Sequence, residues 1–367
     1  FTWTYRVNIC LFIAKQMNIY YFANAVYQYG HSKSIYDITG GTFIVNKFHR
    51  MLRFKYYLFN SLKNKDQRGA LGSPKVIIRD LDQYLDLRGI IISGSNTIVN
   101  NNKKISYSIF MGHGTGDKKY GGSAKTLETY DYHFISGPKH LHKLKDVDVK
   151  INKKRMIKIG YPKFDDYVNK KIDDVAYMDY LGIKDKSRKN ILYAPTWEWG
   201  NGTLEKFGKK FCLELNDNYN LILRPHFNDR KHLIPLKVWA KAKGLKNIYF
   251  SNPAKILKNN TMLDFSISDM MISDTSSIIY EYLITGNPII IADNNYGDLH
   301  SMPEELNILE VAEKYDGGDI CKAVEFALGD DSSANYLNLL NNCFYFNDGK
   351  SSKRAADFIS SLKIKNM

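Results

Sequence analysis

The second half of the chain alternates short, almost wholly apolar runs with amphipathic stretches of helical length, and nothing else in the sequence constrains the fold as strongly. The apolar runs cover residues 190–194, 220–224, 247–250, 270–273 and 288–292, each bounded by Pro, Gly, Asn or Asp, as strand ends tend to be. Between them, residues 204–215, 233–243 and 276–285 carry helical spacing. Strands without a polar face must be covered on both sides, so the pattern predicts an α/β unit built on a parallel sheet.

The first half has the same character with less regular punctuation. Runs at 42–45, 76–79, 89–92, 106–111 and 132–135 are strand candidates, and a helix is expected over 47–63. A chain of 367 residues has room for two such units, at about 100–200 residues per domain. The stretch 161–180 follows Gly160-Tyr161-Pro162 and turns strongly polar. A boundary there gives a first domain over 1–165 and a second over 166–346. The tail, 347–367, begins near Asp348-Gly349 and is expected to be helical over 351–364. Ser351 or Ser352 is the expected cap, and Ala355, Phe358, Ile359 and Leu362 form the apolar face.

Charge narrows the partners. Fifty-two Lys and Arg against 38 Asp and Glu leave a formal +14, which calls for an anionic partner: nucleic acid, lipid headgroups or a polyphosphate. No recognition-helix, zinc-finger or aromatic-sheet signature is present and the basic residues are spread out, which argues against nucleic acid. Cys10, Cys212, Cys321 and Cys343 form no CxxC pair and no zinc spacing, so they are expected as reduced thiols. The apolar run 7–14 falls short of the about 20 residues of a spanning helix and lacks the flanks of a signal peptide. Tyr20, Tyr21, Phe22, Tyr27 and Tyr29 are expected in the core rather than in a membrane anchor.

Ligands on open α/β sheets bind beyond the C-terminal strand ends, so chemistry is sought there. Straight after the run 106–111 comes Gly112-His113-Gly114-Thr115-Gly116-Asp117-Lys118. An exposed imidazole between glycines can take a proton from a hydroxyl, and the glycines let backbone N–H groups approach a phosphate. The same residues would also serve as a plain turn. Arg224-Pro225-His226 ends another run; Arg224 could hold a phosphate and His226 could donate to it. Ser273-Asp274-Thr275-Ser276-Ser277 joins a strand to a helix, where N–H groups and hydroxyls suit an anion or simply cap the helix. Pro195-Thr196-Trp197 carries a tryptophan able to stack on a base or to pack a hinge. The basic tract 139–158, with Lys139, His140, His142, Lys143, Lys145, Lys150, Lys153, Lys154, Arg155 and Lys158, suits an anionic lipid or polymer, or a solvated face.

In this order the motifs resemble the glycerophosphotransferases that use CDP-glycerol to build teichoic acids and related capsule polymers. The resemblance rests on His113-Gly114-Thr115, Gly160-Tyr161-Pro162, Leu192-Tyr193-Ala194-Pro195-Thr196-Trp197, Arg224-Pro225-His226, the block from Asp269 to Ser277, and Asp348-Gly349. It runs from about Ser106 to the C-terminus. It implies a GT-B-like architecture: two Rossmann-like domains facing a cleft, with a C-terminal helix returning to the first. It implies that His113 deprotonates the acceptor hydroxyl and that His226 contacts the donor pyrophosphate. Ser276 and Ser277 would hold phosphate oxygens, and Asp274 would orient their loop. The implied partners are a CDP-polyol donor and an anionic polymer or lipid-linked acceptor, met in the cytoplasm with a peripheral contact on the inner membrane face. No cofactor is required, and no carboxylate cluster has metal spacing.

Three positions depart from the family pattern. His-Gly-Thr-Pro-Leu-Lys becomes His113-Gly114-Thr115-Gly116-Asp117-Lys118, Pro225 precedes His226 where the family has the histidine first, and Thr275 stands for a tyrosine. These changes touch the ligand pocket and bear on the identity of the polyol. A glycosyltransferase or sugar-nucleotide epimerase of similar fold, using a UDP-sugar, is the alternative.

Overall fold

The computed structural model describes residues 17–23, 25–61, 75–120, 124–256, 258–330 and 332–363. The apolar run 7–14, Cys10 and residues 364–367 lie outside them. Among the described residues, no helix is long and apolar enough to cross a membrane.

Two parallel sheets organise the chain. The first contains β1 (Ile19–Phe22), β2 (Thr42–Val45), β3 (Lys75–Ile78), β4 (Gly89–Ser93), β5 (Ser106–Phe110), β6 (Tyr132–Ile135) and β7 (Met156–Lys158), in the order β3-β2-β1-β4-β5-β6-β7. The second contains β8 (Asn190–Tyr193), β9 (Asn220–Leu223), β10 (Ile248–Phe250), β11 (Met270–Ser273), β12 (Ile289–Ala292) and β13 (Glu313–Tyr315), in the order β10-β9-β8-β11-β12-β13. Each sheet starts in its middle, walks to one edge, then returns to build the other. The switch points, β1 beside β4 and β8 beside β11, are where loops part and crevices open. The expected α/β, GT-B-like arrangement of two Rossmann-like halves is the one adopted.

The strands sit where both faces are apolar. All of β8, β11 and β12 is buried, and β1 lays Tyr21 between Phe43 of β2 and Ile92 of β4. Helices cover both faces, so each sheet is sandwiched between two apolar clusters. Tyr21, Phe22 and Tyr29 are core residues, as expected, while Tyr27 is half-buried at the cleft. Cys212, Cys321 and Cys343 are free thiols.

Two local expectations need correction. The helix expected over 276–285 is shorter: Ile278–Tyr282 is α-helical, and Leu283–Thr285 tightens into a 3-10 turn closed by Gly286 in the left-handed region. The tail helix, Ser351–Ser361, is capped by neither serine. Its free N–H groups at Ser351 and Ser352 donate to the buried carboxylate of Asp165, at 3.0 and 2.7 Å. A carboxylate there satisfies orphan donors and complements the helix dipole. The helix lies on helix Gln28–Thr39, with Ala355 and Ile359 buried in the core of the first sheet.

Candidate active site

A cleft of about 920 Å³ opens between the two sheets, walled by the loops that leave β5, β8, β9 and β11. The loop after β5 brings His113. Gly112 and Gly114 take φ of 72° and 141°, a backbone that turns the imidazole into the cleft. His113 Nδ1 lies 2.5 Å from the carbonyl of Gly94, beyond β4. A carbonyl only accepts, so Nδ1 carries the proton and Nε2 keeps a bare lone pair. Burial lowers the pKa; the Gly94 bond opposes this and Lys143 adds to it. The ring is held as a neutral base.

His226, after β9, has the opposite tautomer. Its Nδ1 accepts the N–H of Asn228 at 3.2 Å, so Nε2 carries the proton and donates. Burial, with Lys118 and Arg224 nearby, pushes its pKa down to about 4. Tyr27 stands between the two histidines, its ring 5.9 Å from His113 and 6.2 Å from His226. The Trp197 ring lies 5.8 Å from His226 and stacks on Trp199, which is 82% exposed.

Asp274 is the framework of the second half. Its Oδ1 accepts from Thr196 N at 2.8 Å, and Oδ2 from Thr203 N and Oγ1 at 3.0 and 3.1 Å. It thus shapes the loop that carries Pro195, Thr196 and Trp197. Burial raises its pKa while these bonds and Lys118 lower it. Thr275 Oγ1 accepts from Asn294 Nδ2 at 3.0 Å. Ser276 and Ser277 line the cleft at the start of a helix of only five residues, so their hydroxyls carry more of any anion contact than the helix dipole does. Thr115 is buried with no hydrogen-bond partner for its hydroxyl, and it abuts a small cavity of about 20 Å³ behind Gly114.

The two halves touch at this point. A Cβ on Gly116 would stand 2.6 Å from Ser277 Cα, and one on Gly114 3.1 Å from Ser277 Oγ. Only residues without side chains allow the first half's loop to lie so close to the second half's helix.

Two sequence readings change. Arg224 lines the cleft, but its Nη1 is committed to Asp264 Oδ2 at 2.6 Å, Asn259 O at 2.6 Å and Ser251 Oγ at 2.9 Å. Through that nitrogen it neutralises a wholly buried carboxylate, so any contact to a phosphate falls to the rest of the guanidinium. The basic tract is not one face. Lys139 is fully buried, paired with Asp117 and lying 3.6 Å over the Tyr280 ring, and Lys143 is buried against the Gly116 carbonyl with its pKa lowered to about 8. These two lysines brace the glycine loop from beneath, while Lys145, Lys150, Lys153, Lys154 and Lys158 are exposed.

The sequence gives no signal for His31, it suggests the core rather than the cleft for Tyr27, and it shows Lys118 only within its motif. Lys118 crosses the cleft to donate to Thr196 Oγ1 at 2.8 Å. Its pKa is lowered by burial and supported by Asp274. Glu198, Asp229 and His232 offer ligand atoms within 4.8 Å of one another, a group their sequence separation hid. Asp229 Oδ2 accepts from Glu198 N at 2.8 Å and Lys231 pairs with Glu198 at 3.2 Å, so each carboxylate already has a partner from the other's loop.

Residues 103–361 match the model of the CDP-glycerol:poly(glycerophosphate) glycerophosphotransferase family. The chain is 26% identical to the teichoic acid ribitol-phosphate primase of Bacillus spizizenii over 286 residues, 71% of this chain and 67% of the primase. It is 27% identical over 263 residues to the teichoic acid poly(glycerol phosphate) polymerase of Staphylococcus epidermidis. That match covers 62% of this chain but only 34% of the polymerase. Its fold resembles the solved wall teichoic acid polymerase TagF with a TM-score of 0.63 at 20% identity, covering 94% of this chain and 89% of that one.

Proposed function

The chain belongs to the CDP-glycerol:poly(glycerophosphate) glycerophosphotransferase family and is a transferase, and on that premise we propose how its cleft works. It moves a polyol phosphate, glycerol phosphate first among candidates, from a CDP-activated donor to a hydroxyl of a cell-surface polymer or its lipid-linked primer. CMP is released. One observation carries the reading: two neutral histidines of opposite tautomer face the same cleft across one aromatic ring.

The acceptor hydroxyl gives its proton to His113 Nε2 as its oxygen attacks the phosphorus that bears the polyol. The bond from that phosphorus to the bridging oxygen breaks, and CMP leaves with the electron pair. His226 Nε2–H and the Lys118 ammonium stabilise the charge that gathers on the phosphate oxygens. Gly114, Thr115, Thr275, Ser276 and Ser277 contribute backbone N–H and hydroxyl donors. Trp197, with Pro195 and Thr196, receives the cytosine. Asp274 and Arg224 act through their neighbours, one holding the 195–203 loop and the other holding Asp264.

The acceptor-side domain is taken as 1–165, the donor-side domain as 166–346, and 347–367 as the helix that returns. A polyanionic acceptor suits the +14 charge, and a cytoplasmic site with peripheral contact at the inner membrane face suits a lipid-linked primer.

The test is CMP release from CDP-glycerol and CDP-ribitol with a synthetic lipid-linked acceptor, with UDP-sugars run in parallel. CMP should appear only when a cytidine donor and an acceptor are both present. His113→Ala should lose about 10²–10⁴-fold in turnover, as expected for a lost general base, while donor binding persists. Turnover of UDP-sugars alone, or near-normal rates in the variant, would overturn the assignment.

A further inference from the structure

Tyr161 has one hydroxyl proton, and it is spent on Glu281 Oε1 at 2.7 Å. The other oxygen of that carboxylate holds the Lys163 ammonium at 2.5 Å. What Tyr161 offers to His31 Nδ1, 3.2 Å away, is therefore a lone pair. That contact is a hydrogen bond only if His31 Nδ1 carries the proton. His31 is thereby fixed with a bare Nε2, the same state that the Gly94 carbonyl imposes on His113. Burial, reinforced by Lys163 and His113, holds its pKa well below the ordinary value, so it stays neutral.

His31 and His113 reach this place from different elements, helix Gln28–Thr39 and the loop after β5. Both line the cleft, and their rings stand edge to face with centroids 6.4 Å apart. One attacking hydroxyl needs one base. A second bare nitrogen beside the first matches a second O–H donor, each bond closing at about 2.8 Å. Two hydroxyls on adjacent carbons present such a pair. A site with that nitrogen left unpaired in the absence of the second hydroxyl would bind the poorer acceptor at a loss.

We propose that His31 Nε2 accepts the hydrogen bond of the hydroxyl next to the attacking one, so that the site selects acceptors ending in a vicinal diol. The inference rests on the transferase reading above and adds the acceptor terminus that the site takes. His31 is a specificity-determining residue, with Tyr161 and Glu281 setting its tautomer.

The experiment compares two synthetic lipid-linked acceptors at saturating CDP-glycerol, one ending in a 1,2-diol and the other lacking the neighbouring hydroxyl. The wild-type chain should favour the diol by about 10- to 100-fold in kcat/KM, the range of one lost buried hydrogen bond. His31→Ala should collapse that ratio, and His31→Gln, whose amide oxygen still accepts, should keep part of it. Equal use of both acceptors by the wild type overturns the proposal without any variant. So does a diol preference that survives in His31→Ala, because a merely structural role slows both acceptors alike and leaves the ratio standing. If the wild type releases no CMP with either acceptor, the transferase reading has failed, and calorimetry with the two acceptors then decides separately: tighter binding of the diol supports the His31 assignment and equal binding overturns it.

Discussion

Lys118 Nζ donates to Thr196 Oγ1 at 2.8 Å, tying the loop after β5 in one half to the loop after β8 in the other. The cation stands beside a hydroxyl that a phosphate oxygen can replace. Burial costs it charge, and Asp274 behind the loop restores part of that. Lys118→Met should raise the KM for the CDP-polyol and lower kcat, together about 10- to 100-fold in kcat/KM, the range of a charge-assisted hydrogen bond. Steady-state CMP release measures it, and unchanged kinetics would remove Lys118 from the phosphate site.

Gly116→Ala should separate the halves. The new Cβ would lie 2.6 Å from Ser277 Cα and 3.1 Å from its nitrogen, both backbone, so the loop or the helix must retreat. A misplacement of about 1 Å costs about 10²-fold in rate when reactants must align. Turnover should fall by that order while isothermal titration still finds the nucleotide bound.

The rate should tolerate acid better than an ordinary histidine allows. His113 works only when neutral, and burial outweighs its bond to Gly94, so its pKa lies below 6.5. As pH falls through 6.5 the base keeps its lone pair, and kcat should decline only at lower pH. Lys143→Met removes a neighbouring cation and should move that limb upward. A plot of log kcat against pH decides, and a wild-type limb at or above 6.5 would contradict the assignment.

Stability should fall in acid, for a different histidine. His133 is fully buried in β6, neither ring nitrogen makes a well-formed hydrogen bond, and burial, with His140 and Arg155 nearby, pushes its pKa down to about 3 against a weak opposing contact with the Leu127 backbone. The unfolded chain binds this proton below about 6.5 and the folded chain does not, so stability is complete above 6.5 and is lost as pH drops toward 3. Between pH 6.5 and 5 the contribution is about 2 kcal/mol at 1.36 kcal/mol per pH unit. Urea unfolding at pH 7 and pH 5 should show a loss in wild type that His133→Leu reduces.

Arg224→Ala should act mainly on folding. It would strand Asp264, fully buried, without its cation, and breaking such a pair costs about 3–5 kcal/mol. A variant with wild-type unfolding but weak donor binding would instead return Arg224 to the phosphate.

Much of this was legible in advance, and the limits have physical causes. β11, Met270–Ser273, is buried at every position, so its apolar run stands out against the Asp residues that flank it. His113 stands out because glycines with positive φ surround it. β7 and β13 are edge strands of three residues, Met-Ile-Lys and Glu-Lys-Tyr, and carry no apolar run to read. In the cleft, side chains far apart in sequence decide. Asp117 takes Lys139 out of the basic tract, Asp264 claims Arg224, and Glu281 sets Tyr161 from 120 residues away. No spacing rule spans such distances. The cap on the last helix escaped for the same reason, since its acceptor is Asp165 rather than a neighbouring serine.

That cap has a mechanical consequence. The chain passes between the halves twice, once near Asp165 and once on the way back to Ser351, and the two passages are bound side by side. Asp165 holds Ser351 and Ser352, and Asn169 Nδ2 donates to Gly349 O at 2.8 Å. A single tether would leave one body free to swivel and slide against the other. Two tethers fastened together would act like the pin of a door: any relative movement of the halves would be confined to one axis and shear across it resisted, which would keep the loop bearing His113 in line with the helix behind Ser277.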